Sequence, residues 1–170
     1  MDMAPERTRR CFAVLILMAG GCFASDTSMD RATLRGLKAV KVVVDPLGSE
    51  LEREGLDANR LRDRIEQKLR DAGIKIDNDV NEFIGLNVSF AQAGKKVLSI
   101  KKGPYSLTIG LGVYQVAVLT RDMATKTVVE TWGVEKTASA SARGLDRNVS
   151  NAVDDLVDQL VKAYLSVNPR

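Results

Sequence analysis

Toward the C-terminus, Leu145, Val149, Ala152, Val153, Leu156, Leu160, Tyr164 and Val167 recur at helical spacing, with polar and charged residues between them. A helix of 3.6 residues per turn gathers these positions into one apolar stripe, and a stripe that long must be buried against a second layer. The pattern predicts a helix from about Leu145 to Val167, stopped at Asn168-Pro169. Tyr105, Leu107, Ile109, Leu111 and Val113 alternate with small or polar residues, the signature of a strand with one apolar face. A long amphipathic helix and a one-faced strand together call for helix-on-sheet packing.

The rest of the chain supplies partners for both. Ala39 to Asp45 (AVKVVVD) is a β-branched run closed by Pro46 and Gly48, and reads as a largely buried strand. Asp57 is placed to N-cap a helix whose apolar stripe is Leu61, Ile65, Leu69 and Ala72, with Leu56 and Leu61 as a hydrophobic staple and Gly73 as its stop. Glu66 and Arg70 stand one turn apart on its surface. Glu82 to Ala93 alternates Ile84, Leu86, Val88 and Phe90, and Val97 to Ile100 is expected to return beside it as a hairpin arm broken by Gly103-Pro104. The strand from Tyr105 loses phase near Tyr114 and Gln115, because Val116 and Val118 fall on the other parity, which predicts a bulge there or a change in what the strand packs on. Thr127 to Ala138, after a turn around Asp122 to Thr125, completes a long antiparallel ribbon. The expected fold is α/β, of the α+β type: a two-layer sandwich of four to five mostly antiparallel strands with two helices on one face, in the order β-α-β-β-β-β-α.

Length and composition agree with one domain: 170 residues, 45% hydrophobic and 28% charged, with no low-complexity block. The formal charge is +3, and the residues before Cys22 hold one unit of it, leaving +2, too little to imply nucleic acid or an anionic membrane face. The chain has no histidine, and its two cysteines, Cys11 and Cys22, both precede the domain. The domain is therefore without thiol nucleophile, disulfide, imidazole base or the usual zinc ligands, and no cofactor or metal site is expected.

The first residues read as an address. Arg7, Arg9 and Arg10 precede a short apolar run, Cys11 to Ala19, the pattern of a bacterial export signal and too short to span a bilayer comfortably. Two cleavage sites compete. Met18-Ala-Gly-Gly-Cys22 resembles a lipobox, which makes Cys22 the lipidated first residue, whereas Cys22-Phe-Ala24 fits an ordinary signal peptidase and makes Ser25 the start. The signal is accordingly 1–21 or 1–24, followed by a polar tether over 22–38 and a single domain over 39–170. The alternatives in location are a lipoprotein, with Phe23 after the cysteine pointing to the outer membrane, or a soluble periplasmic or secreted protein.

Candidate chemistry is sparse. Gly110 and Gly112 lie inside an alternating strand rather than in a phosphate loop, and leave a smooth strip where a partner backbone can approach. Asp154, Asp155 and Asp158 supply too few converging oxygens for a cation site and read as a solvated helix face. Lys95, Lys96, Lys101 and Lys102 flank a short strand and read as edge protection. Glu130 shares strand parity with Trp132, Val128 and Val134, and on an inward face its carboxylate would need a partner, with Gln115 or an arginine as candidates. Trp132, Tyr105 and Tyr114 are the aromatic residues able to anchor a partner if exposed.

Taken together, a lipobox-like Cys22, AVKVVVD, the capped helix ending LRDAGIKI, a long ribbon and a C-terminal helix ending YLSVNPR resemble small α/β envelope lipoproteins. The nearest shapes are the penicillin-binding-protein activator lipoproteins and the periplasmic domain of curli-type secretion channels, over roughly Val40 to Val167 as an order of elements. No functional residues carry over. The expected function is a non-catalytic envelope binding or assembly module, anchored in the membrane by lipid on Cys22 and meeting a protein partner through Tyr105, Gly110, Gly112, Tyr114, Glu130 or Trp132. The alternatives are an exported hydrolase using carboxylates or a Ser–Lys pair, and a subunit of a ring-like envelope or secretion assembly.

Overall fold

The structure, a computed structural model, describes residues 26–92 and 105–169. Nine elements follow in order, apart from one short 3-10 turn: α1 (Ser28–Ala32), β1 (Ala39–Val44), α2 (Ser49–Arg53), α3 (Ala58–Asp71), β2 (Lys75–Ile76), β3 (Phe83–Gln92), β4 (Tyr105–Leu119), β5 (Asp122–Ala140) and α4 (Leu145–Val167). The fold is the expected α/β sandwich: a five-stranded sheet in the order β2-β1-β3-β4-β5, with α3 and α4 on one face. β3, β4 and β5 are antiparallel, whereas β1 runs parallel to both of its neighbours. The fifth strand is the two-residue β2; the arm expected at Val97 to Ile100 and the four flanking lysines lie outside the described residues.

Both long helices form where local signals specify their ends. The Asp57 carboxylate accepts from the Asn59 and Arg60 amides at 2.8 and 3.4 Å, capping α3. At the other end Gly73 adopts φ 81°, and the amides of Gly73 and Ile74 bond back to Arg70 and Leu69, a Schellman stop with Ile74 buried beside Leu69. Leu61, Ile65 and Leu69 of α3 and Val149, Val153, Leu156 and Leu160 of α4 are fully or almost fully buried. They rest on Val40, Val42, Ile84, Leu86, Leu107, Ile109, Leu111 and Val113 from the sheet. At their outer edge the helices are joined by the Arg64 guanidinium, which grips Asp154 with two bonds of 2.7 and 2.6 Å, and by Lys68 on Asp158 at 2.7 Å. Lys136 of β5 takes Asp155. The three aspartates are thus ion-paired to neighbouring elements, with Asp154 and Asp158 sharing Lys68.

Residues 26–38 depart from the expected tether. A capping box between Thr27 and Asp30 starts α1, and Leu34 beyond it is fully buried. Asn168, expected only to end the last helix, holds this segment down: its side chain accepts from the Gly36 amide at 2.7 Å and donates to the Leu34 carbonyl at 2.9 Å. Farther back, the Asp26 carboxylate accepts from the Trp132 indole at 2.9 Å and from Arg31 at 2.7 and 2.5 Å. The polar composition that suggests a free linker is explained by these caps and clamps, which need distant partners invisible to local sequence. From Asp26 onward the segment is part of the domain.

The predicted irregularity is also present, on the neighbouring strand. Pairing runs Val113 with Trp132 and then Tyr114 with Glu130, so Thr131 is the extra residue and β5 carries the bulge. β4 keeps strict alternation through Val118, and its later valines fall on the face opposite the helices.

Candidate functional site

The face of the sheet away from α3 and α4 carries no helix among the described residues. Side chains directed there come from Lys41 and Val43 of β1, Phe83, Gly85, Asn87 and Ser89 of β3, the even-numbered residues of β4, and Lys126, Val128, Glu130, Gly133, Glu135 and Thr137 of β5, as the ladder register requires. An antiparallel sheet tolerates such a face when it is polar or small, and most of these residues are. One part of it is shaped. Gly85, Gly112 and Gly133 are direct partners across three strands and form a row without side chains across the sheet.

Two side chains lie down on this row. The Tyr114 ring passes over Gly85, where an added Cβ would meet Cε2 at 2.8 Å, and stacks on Phe83 with centroids 4.7 Å apart and planes 7° from parallel. The Glu130 carboxylate bends over Gly112 and Gly133, and its Oε2 accepts from the Tyr114 hydroxyl at 2.8 Å. The glycines are therefore needed for close approach of these two groups. Beside them Gly110 is open, with nothing within 4 Å of the position a Cβ would take. Here the surface dips into a shallow depression of about 390 Å³, bounded by Asp45, Asn87, Tyr114, Glu130 and Glu135. Asn87 donates to Asp45 at 3.1 Å.

Chemically the depression is an acceptor-rich cup with an aromatic wall. Three carboxylates line it and no lysine or arginine does. Burial, with the Glu130 hydrogen bond second, pushes the Tyr114 phenol up to about 12. The phenol thus remains a donor to Glu130 across the physiological range. Its raised value stabilises the fold below pH 10.0, and that contribution is lost as pH rises toward about 12. Alkaline spectrophotometric titration of Tyr114→Phe is expected to lose a phenol that ionises near 12 in the wild type; loss of a phenol ionising near 10.0 instead would contradict the packing.

Of the six residues singled out from sequence, four meet on this face: Gly110, Gly112, Tyr114 and Glu130. Two do not. Tyr105 is fully buried on the helix side, edge-on to Phe90 at 5.8 Å, with its hydroxyl donating toward Glu50 and Glu54 at 3.3 and 3.2 Å. Trp132 is 1% exposed and is core, with its indole nitrogen on Asp26. The shared parity of Glu130 and Trp132 is misleading because the extra residue Thr131 turns one outward and the other inward. Gln115 is no partner of Glu130; its amide donates to the Thr33 carbonyl and the Thr131 hydroxyl. Phe83, Gly85, Asn87, Asp45, Gly133 and Glu135 were not legible as site residues, because only the register between strands brings them together. Cys22 lies outside the described residues, as do both cleavage sites.

No family model matches the chain, and no curated protein matches it. Solved structures do. The PelC dodecamer from Paraburkholderia phytofirmans is 11% identical, with 74% of this chain and 88% of that chain covered and a TM-score of 0.40. Rare lipoprotein B from Shewanella oneidensis is 14% identical, covering 76% and 96%, with a TM-score of 0.35. A minor lipoprotein from Acinetobacter baumannii is 12% identical, covering 78% and 94%, with a TM-score of 0.35. No helix among the described residues is long and apolar enough to cross a membrane.

Proposed function

We propose that this chain is an exported, lipid-anchored, non-catalytic protein of the bacterial cell envelope that binds a protein partner on the open face of its sheet. The observation that carries the binding role is the depression at Gly110, where a flat backbone floor meets the Phe83–Tyr114 stack and three carboxylates. A bare floor admits another backbone closely, an aromatic wall supplies apolar contact, and the carboxylates accept from a lysine or arginine of an extended segment. The anchoring role rests on the lipobox-like run before Cys22. The same cup offers little to the hydrolase reading, since Glu130 is exposed and committed to Tyr114, and no histidine or cysteine occurs in the domain.

The test is a photoreactive side chain at Asn87, at the rim of the cup, activated in intact cells. A discrete adduct with an envelope protein is expected from Asn87, and none from Thr137 on the same sheet face. A Cβ at Gly110 meets nothing within 4 Å, so Gly110→Arg is accepted by the backbone and projects its side chain into the cup. It is expected to cut the adduct at least about tenfold, the equivalent of 1.4 kcal/mol, while leaving thermal unfolding unchanged. An adduct equally strong from Asn87 and Thr137, or one indifferent to Gly110→Arg, would remove the cup from the binding role.

A further inference from the structure

Anchored at Cys22, the domain has very little freedom to leave the bilayer. Only four Cα steps separate Cys22 from Asp26, at most about 14 Å of extended chain. Asp26 is itself fixed on the Trp132 indole and Arg31. Just past Trp132, at Tyr114 and Glu130, β3 pairing ends, and β4 and β5 continue only with each other to the turn between Leu119 and Asp122. This free ribbon extends roughly 17 Å beyond the sheet. Its root is held to the anchor side of the molecule by Thr33, whose hydroxyl reaches the Thr131 carbonyl at 3.2 Å and whose carbonyl receives Gln115 at 3.0 Å.

Most of the exposed apolar side chains lie on this ribbon. Among the described residues five large hydrophobics are exposed: Val116, Val118, Met123 and Val128 on the ribbon, and Met29 on α1. Met29 and Met123 are the most open, at 79% and 72%. Val116 faces Val128 across the ladder and Val118 faces Lys126, so three valines form one apolar strip flanked by a cation. Arg121 stands in the turn, and the single ribbon carboxylate, Asp122, is held by the Thr125 hydroxyl and the Ala124 amide. Apolar groups bordered by cations suit the boundary between headgroups and acyl chains of an anionic membrane.

We propose that the β4–β5 ribbon is a membrane-contacting finger, with Val116, Val118, Met123 and Val128 seated at the surface of the bilayer that holds the Cys22 lipid. This rests on the lipid-anchor reading and adds to it an orientation. The finger gives the domain a second attachment beside its lipid.

The experiment uses the mature lipidated chain in vesicles of phosphatidylethanolamine and phosphatidylglycerol. Cys11 and Cys22 are the only cysteines. With Cys11 removed with the signal and the Cys22 sulfur blocked as the thioether of its diacylglyceryl group, a cysteine placed at Val118, Met123 or Thr137 is the sole thiol for an environment-sensitive dye. Dyes on Val118→Cys and Met123→Cys are expected to shift to the blue and to be quenched several-fold more by spin-labelled lipid than the dye on Thr137→Cys. A water-like spectrum at Met123→Cys in a chain whose mass includes the lipid overturns the finger and leaves the anchor standing. A blue shift without lipid quenching overturns it in favour of a protein covering the ribbon. A mature chain without lipid removes the anchor, and the finger with it.

Discussion

Trp132→Ala is expected to lower the unfolding free energy by about 3 to 5 kcal/mol, the range for truncating a large buried aromatic side chain. Two losses combine. The indole is 1% exposed within the main core, and its removal leaves a cavity where β5 meets the apolar face of the sheet. Its Nε1 also donates to Asp26, the residue that fastens the N-terminal segment to the domain. Trp132→Phe keeps an aromatic ring in the core and deletes that bond with only part of the buried volume, so it is expected to cost less in urea unfolding yet still loosen residues 26–36 toward proteolysis. The bond is pH-dependent in a definite direction. Arg31, through its hydrogen bonds, is the main cause holding the Asp26 carboxyl below its usual 3.8, with Trp132 adding to it. A depressed carboxylate stabilises the fold above 3.8, and the contribution is lost as pH falls through the lowered value. Trp132→Ala that unfolds within about 1 kcal/mol of wild type would contradict the placement of the tryptophan.

Cys22→Ser is expected to have the largest effect on location. Each buried methylene of an acyl chain holds a protein to a bilayer by about 0.8 kcal/mol, so the lipid proposed on Cys22 is the main hold of the chain on the membrane. The ratio of membrane-bound to soluble protein should fall by more than about 100-fold, or roughly 2.7 kcal/mol, unless the uncleaved signal holds the chain in the inner membrane. Fractionation of the envelope distinguishes these two fates from wild-type behaviour. An unchanged distribution would show that Cys22 carries no anchor.

The fold was legible wherever one segment carries its own instruction. α4 occupies Leu145–Val167 as its apolar spacing requires, and α3 starts after Asp57 and stops at Gly73 through bonds that its sequence encodes locally. Features that depend on pairing were not legible. The phase change near Tyr114 signals a bulge, but only the register shows that Thr131 of β5 is the extra residue and that Glu130 faces away from the core. Gly110 and Gly112 announce a smooth strip from their own strand, whereas Gly85 and Gly133 join it through partners far off in sequence. The same holds for Asp26 to Lys38, where a polar run reads as a tether until Trp132, Thr131 and Asn168 supply its bonds.

The proposed export address underlies both the envelope role and the membrane contact of the ribbon. The intact mass of the mature wild-type protein tests it most directly. The account predicts a chain beginning at Cys22 that carries the added mass of a diacylglyceryl group. A chain beginning at Ser25 without lipid, or one still retaining its first 21 residues, would contradict it.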